Sequence, residues 1–139
     1  VTLSNNLFEH IASRAPRVRF GQVHLFNNYH VGDRRYPGYR HGYSVGVAKQ
    51  ARIVSQANVF EIAGARGCLD AVKSFAQGVD AGSFSDRGSM LNGAPLAPCG
   101  AQDAPAWTVP YAFDPLPADA VPAHVRANAG AGKLPAHPQ

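Results

Sequence analysis

No stretch of the 139 residues is apolar enough to span a membrane, which excludes a transmembrane helix from them. An initiator methionine and a signal-peptide pattern are both missing. Val1-Thr2-Leu3 reads as the middle of a strand, the opening of a mature protein or of a piece of something longer. Cysteine occurs only twice. Cys68 and Cys99 are compatible with one disulfide or with two buried thiols, and one pair says little about compartment. The six histidines show no metal-ligand spacing with these cysteines, and His10, His24 and His30 read as structural or surface residues. No Ser/His/Asp triad can be assigned, and Glu61, after a strand, reads as an ordinary surface carboxylate. Long helices are disfavoured by 14 glycines and 11 prolines, which point to turns and strands in one ordinary domain.

Acidic residues are scarce in the first third. Residues 1–41 hold six arginines (Arg14, Arg17, Arg19, Arg34, Arg35, Arg40) against Glu9 and Asp33, while the remaining seven basic residues are balanced by seven acidic ones. The net charge of +4 therefore lies at one end of the chain. A local basic surface calls for an anionic partner: nucleic acid, an acidic lipid surface or an acidic polysaccharide.

Three segments align. Residues 1–8 read VTLSNNLF, residues 23–30 VHLFNNYH and residues 53–60 IVSQANVF. Each opens on a β-branched residue (Val1, Val23, Ile53) and carries asparagine five positions later (Asn6, Asn28, Asn58), at offsets of 22 and 30 residues. Such periods mark stacked, solenoid-like architectures. The physics fits a parallel β-helix, in which each coil supplies short strands with alternate side chains inward. An asparagine at the bend takes up left-handed backbone geometry and joins an amide ladder with its neighbours above and below. The rival is three ordinary antiparallel strands, each followed by an Asn turn.

Between the second and third repeats, Arg34, Arg35, Tyr36, Tyr39, Arg40 and His41 form a basic, aromatic loop of the kind that carries function on a rigid scaffold, and Tyr43 to Val47 reads as a strand. "VKSFAQGVDAGSFSD" supplies two more short strands. Nine of the eleven prolines lie from Pro95 onward, so that stretch reads as irregular chain on the surface, anchored by Trp107, Tyr111 and Phe113. Residues 118–127 predict a short helix with Ala120, Val121, His124 and Val125 on one face, Pro122 in its first turn and glycine at its end.

The densest charge is "SRAPRVRFG", residues 13–21. Pro16 biases Ala15 toward an extended conformation. A continuing strand puts Val18 and Phe20 into the core and projects Arg17 and Arg19 outward, with Arg14 nearby. Arginine suits bidentate recognition of carboxylate or phosphate. Solvated surface arginines are the plain alternative. Nucleic acid brings stacking aromatics and lysines on a recognisable module, and the repeats match none.

"VTLSNNLFEHIASRAPRVRFGQVHLFNNYH" resembles the central region of pectate lyases of polysaccharide lyase family 1. The shared pattern is a strand ending in Asn-Asn, a Phe, then Arg-x-Pro-x-x-Arg, then a strand ending in Asn-Asn-Tyr. "YRHGYSVGVAKQARIVSQANVFE" is similar to the family's next coil. "GSMLNG" and "VPAHVRANAGAGKL" are similar to its C-terminal segments. The resemblance covers nearly the whole chain and identifies it as the C-terminal portion of such an enzyme.

The resemblance implies an all-β fold, a right-handed parallel β-helix that is partial here, with residues 1–94 as C-terminal coils and residues 95–139 as a Pro/Ala-rich segment packing on them. It implies secretion and calcium-dependent β-elimination on polygalacturonate: a base removes the C5 proton of a galacturonate, the bond from C4 to the glycosidic oxygen breaks, and an unsaturated product forms. Arg14 takes the position of the base, Arg19 that of the arginine gripping substrate carboxylate, and Arg17 is an added substrate contact. A guanidinium base needs help, since neighbouring positive charge is what favours a neutral guanidine. Calcium wants several oxygen ligands. The family's acidic ligands lie N-terminal to this region, neither Glu9 nor Asp33 matches one, and no metal ligand is assigned here. The partner is an acidic polysaccharide, not nucleic acid or membrane, and the protein is expected to be a monomer. A solenoid lacking its front coils exposes its core, so this piece alone is expected to be inactive and weakly stable. The alternative is a β-helical protein that binds acidic polysaccharide without cleaving it.

Overall fold

The computed structural model describes residues 1–100 and 107–133; the stretches 101–106 and 134–139 of the expected C-terminal segment lie outside the described residues. Four coils stack along one axis. The first carries β1 (Thr2–Ser4), β2 (Leu7–Glu9) and β3 (Arg17–Val18). The second carries β4 (Gln22–Phe26), β5 (Tyr29–Asp33) and β6 (Val45–Val47), and the third β7 (Arg52–Gln56), β8 (Val59–Ala63) and β9 (Val72–Ser74). The fourth has β10 (Ser83–Arg87) and β11 (Met90–Leu91), the latter closed by an antiparallel partner, β12 (Ala94–Pro95). Like strands pair in parallel into three sheets, β1-β4-β7-β10, β2-β5-β8-β11-β12 and β3-β6-β9. This is the parallel β-helix expected from the repeat, and "VKSFAQGVDAGSFSD" supplies β9 and β10 as expected.

The register follows the alignment. Val23 pairs with Ile53, and Ile53 with Phe84, so these residues stack in the interior with Leu25, Val45, Val47, Phe60, Ile62 and Val72. Burying such side chains contributes roughly 2 kcal/mol each. The asparagines form the expected ladder. Asn6 Nδ2 donates to Asn28 Oδ1 at 3.0 Å and Asn28 Nδ2 to Asn58 Oδ1 at 3.1 Å, while the Asn58 backbone N–H donates to Ser89 Oγ at 3.0 Å. Asn28 and Asn58 also donate to the Leu3 and Leu25 carbonyls, so each amide satisfies two coils at once. The left-handed residue is the one before each rung: Asn5, Asn27, Ala57 and Gly88, with φ of 58°, 53°, 48° and 73°. The expectation that the ladder residue itself is left-handed is corrected. The preceding residue makes the turn, which frees the next side chain to point inward and stack.

Phe8, His30 and Phe60 stack in register, with ring centroids 4.8 and 4.7 Å apart. His30 is a core residue, as its structural reading anticipated. Burial, and secondarily the neighbouring His41, pushes its imidazole down to about 3. His41 takes the room beside Gly32, where an added Cβ would lie 2.5 Å from His41 Nδ1.

Residues 107–129 pack over the outside of the coils. Trp107 Nε1 donates to the Arg52 carbonyl at 2.9 Å. Tyr111 bonds Thr2 and, at 2.7 Å, His24 Nδ1, and Phe113 packs 4.4 Å from the His24 ring. The three aromatic anchors act as expected, and Tyr111 and Phe113 cover the outward-facing His24, which is completely buried. The helix is α1 (Val121–Asn128), entered through a 3-10 turn at Ala118–Ala120, with Pro122 in its first turn. Val121 and Val125 bury against Tyr29 and Val59 on the outer face of the second sheet. His124 is exposed, not on that face: the buried stripe is narrower than expected because the helix meets one flat sheet. A disulfide joins Cys68 to Cys99, with 5.6 Å between Cα atoms, and decides between the two alternatives left by the sequence.

Replacing Asn28 with alanine removes the acceptor of the Asn6 backbone and side-chain N–H groups and the donor to Asn58, and is expected to cost about 2 to 4 kcal/mol in urea unfolding; Asn128→Ala, on the surface, should cost under about 0.5 kcal/mol. The neutral His30 ring is the folded form, so its contribution is complete above the ordinary value of 6.5 and is lost as pH falls toward about 3. Between pH 6.5 and 4.5 that loss should reach about 2 to 3 kcal/mol, and His30→Phe should flatten this part of a melting profile against pH.

Candidate active site

The arginine stretch is a tightly held edge of the first coil. The Ala15 N–H donates to the Ser44 carbonyl at 2.8 Å, the Gly46 N–H to the Pro16 carbonyl at 2.9 Å, the Ala48 N–H to the Val18 carbonyl at 2.9 Å and the Phe20 N–H to the Lys49 carbonyl at 2.9 Å. Every second backbone group from Ala15 to Phe20 is thus tied to the second coil. Arg14 sits at φ 63°, in the left-handed region that a non-glycine residue enters only at a cost of order 1 kcal/mol. The Ala15-Pro16 peptide bond is cis.

Arg14, Pro16, Arg17 and Arg19 line one open depression on the protein surface. All three arginines are exposed, and among the described residues none has a carboxylate within ion-pair distance. The three site residues singled out in the sequence are thus brought together. Val18 is buried, as expected. Phe20 is not: it is 58% exposed. The strand β3 ends at Val18, and a left-handed φ of 56° at Phe20 breaks the alternation, so the side chain turns outward. There it lies between two cations, with Arg19 Cζ 5.9 Å and Lys49 Nζ 5.8 Å from its centroid. Lys49 is itself paired to Asp80 at 3.2 Å.

The second basic loop is put to structural use. Arg34 turns inward, donating to Asp70 Oδ1 at 2.8 Å and to the His41 carbonyl at 3.2 Å. Arg66 reaches the same carboxylate, through its backbone N–H at 2.8 Å and its guanidinium at 3.1 Å. Arg35 pairs with Asp33, and Tyr36 and Tyr39 pack on His10. Only Arg40 of this loop's arginines stays without such a partner among the described residues. Asp70 is the hub. Burial raises its carboxyl, but the Arg66 side chain and backbone N–H, with Arg34 behind them, outweigh burial and hold it below the ordinary value. His41 Nε2 bonds the Asp70 carbonyl at 2.8 Å. The loop that follows His41 abuts the Arg14 loop, the Gly42 N–H donating to the Ala12 carbonyl at 2.7 Å. Asp70 thereby braces the site without entering it.

Sequence reading missed the members of this face contributed by other coils: Lys49, Lys73 and Phe75. Their signal is register, since Arg17 pairs with Gly46 and Gly46 with Lys73 across the third sheet. Glu61, read as a surface carboxylate, accepts a hydrogen bond from the Tyr29 hydroxyl. No group of three His, Cys, Asp or Glu side chains among the described residues is placed to hold a metal ion. The calcium that the resemblance implies does not fit these residues, and no chemical step is routed through it.

Asp70→Ala leaves Arg34 buried without its partner and should destabilise the chain by about 3 to 5 kcal/mol in chemical unfolding. Because its carboxyl is depressed in the folded state, Asp70's contribution is complete above about pH 4 and is lost only below it. Asp70→Asn should therefore flatten the stability profile below about pH 4 and leave its shape above pH 5 unaltered.

Residues 1–134 match the family model described as pectate lyase. Pectate lyase A of Dickeya chrysanthemi is 41% identical over 141 residues, covering 96% of this chain and 34% of that protein. The pectate lyase of Bacillus subtilis strain 168 is 37% identical over 138 residues, covering 96% of this chain and 32% of its own length. A solved structure of a pectate lyase bound to hexasaccharide superposes with a TM-score of 0.88 at 32% identity, over 96% of this chain and 33% of that one. The chain spans about a third of the length of these relatives. No helix among the described residues is long and apolar enough to cross a membrane. By sequence match and by superposition alike, this chain belongs to the pectate lyase family.

Proposed function

We propose that the chain is the C-terminal portion of a secreted, monomeric pectate lyase, with residues 1–94 as its last coils and residues 95–139 as the segment packed on them. The observation that carries this reading is the open depression in a pectate lyase family chain, lined by Arg14, Pro16, Arg17 and Arg19 and free of counter-ions among the described residues. An anionic polymer supplies the missing negative charge.

In this reading Arg19 holds the carboxylate of the reacting galacturonate, for which a guanidinium fork is well matched, and Arg17 is an added substrate contact. Holding that carboxylate also withdraws electrons from C5 as its proton leaves, so the same contacts strengthen as charge develops. Arg14 takes the C5 proton. The electron pair from the C5–H bond forms the C4–C5 double bond, and the glycosidic oxygen leaves C4 with its bonding pair and takes a proton from solvent. The left-handed backbone at Arg14 and its hydrogen-bonded flanks fix where the guanidinium starts, so that less entropy is lost in orienting it. The calcium requirement of the reading rests on ligands outside the described residues.

Arg14→Ala, in the full-length protein that contains these residues, should lower the rate of unsaturated product formation from polygalacturonate with calcium by about 10³-fold, read by ultraviolet absorbance. Its unfolding midpoint should not fall, because among the described residues the side chain has no hydrogen-bond or ion-pair partner. Retained activity refutes the role given to Arg14. Retention of the polymer with no product from the unsubstituted protein favours the non-catalytic polysaccharide-binding alternative. Salt-sensitive DNA retention without pectate affinity favours a nucleic-acid partner.

A further inference from the structure

We infer that Arg17, Lys73 and Phe75 form a second carboxylate-binding station for the polygalacturonate chain, extending along the stack from the Arg17 edge of the Arg14 depression; the inference rests on the reading of the site proposed above. Arg17 belongs to the first coil, yet its guanidinium lies over the Phe75 ring after β9 of the third coil, 4.1 Å from the centroid. To get there it crosses β6, and Gly46 makes the crossing possible. A Cβ at Gly46 would lie 2.9 Å from Arg17 Cγ and 3.0 Å from Tyr43 Cε2. Tyr43 in turn packs edge-on against Phe75 at 5.0 Å and holds the ring upright. Lys73 Nζ approaches the same ring, 5.3 Å from its centroid.

Two cations therefore converge on one aromatic ring, and among the described residues neither has a carboxylate within ion-pair distance. The contrast with Phe20 is informative, since Lys49 beside that ring is neutralised by Asp80. Like charges held together without a counter-ion cost free energy until an anion arrives. A guanidinium held over a ring by its face leaves N–H donors for a carboxylate, which suits bidentate binding, while the lysine adds a point charge. A polymer with a carboxylate on every sugar presents a second anion to such a station whenever the first occupies Arg19. Phe75 acts as a positioning residue for Arg17, and Lys73 as a substrate contact.

The test is KM and kcat, in the full-length protein that contains these residues, for unsaturated product formation from trigalacturonate and hexagalacturonate, with Lys73→Ala, Phe75→Leu and, as a control cation on another sheet, Arg87→Ala. Lys73→Ala and Phe75→Leu should raise KM for the hexamer by about fivefold and for the trimer by less than about twofold, with the loss falling on KM and not on kcat. Arg87→Ala should move neither. Equal effects on both lengths, or none, overturn the station while leaving the lyase reading intact. If the unsubstituted protein makes no product, the lyase reading fails separately. Retention on polygalacturonate-containing gels then reads the station without turnover: weaker retention of Lys73→Ala than of Arg87→Ala supports it, and equal retention overturns it. Unfolding melts of each variant confirm that folded proteins are compared.

Discussion

The structure depends on one constraint: coils of unequal length must stack at a fixed register, about 4.8 Å apart, with no backbone polar group left unpaired inside. The asparagine ladder meets it. The Asn28 side-chain amide bridges its own turn to the coils on either side, and those of Asn6 and Asn58 each bridge theirs to the second coil, at the corner where the backbone cannot continue the sheet. With the corners locked, the strands on both sides are in register, and the interior becomes columns of like residues. Coil length is then free to vary in the loops. The second coil uses that freedom to carry residues 34–44, and the first to carry the arginine stretch.

The same scaffold separates two uses of arginine. Arg34 and Arg66 spend their charge on the buried Asp70, Arg34 from within and Arg66 from the surface, and the shared carboxylate specifies how two loops meet. Arg14, Arg17 and Arg19 face outward with no carboxylate beside them among the described residues. They are held instead by backbone hydrogen bonds and, for Arg17, by an aromatic ring. Composition cannot tell these two kinds apart, because each is simply a basic residue in a turn-rich stretch. What distinguishes them is whether the fold brings an acid to them. Asp70 is 36 residues from Arg34 in sequence and one hydrogen bond away in space.

Much of the architecture was legible. A β-branched residue and an asparagine at a fixed offset recur because every coil meets the same steric and hydrogen-bonding demands at the same corner. The aromatic anchors Trp107, Tyr111 and Phe113 were legible because large rings in a proline-rich stretch have few places to go but onto the sheet. Phe20 was not. Alternation predicted it inward, but β3 stops after two residues, and a left-handed φ decided its direction. His124 misled for a related reason: helical periodicity names a face without saying how much of it a flat sheet covers. The clustering of Arg14, Arg17 and Arg19 was readable since they fall within six consecutive positions. Lys73 and Phe75 were not readable, since only strand register brings them to Arg17.

Local spacing and repeated identical demands were enough to specify the solenoid, the corner asparagines and the arginine group. Only the tertiary structure decided which charges are spent internally, which aromatic rings face out, and which residues from later coils join the arginines. Those outcomes rest on contacts between residues tens of positions apart, and contacts of that range are set by how many residues each loop inserts between strands, a length whose consequence appears only when the coils are stacked.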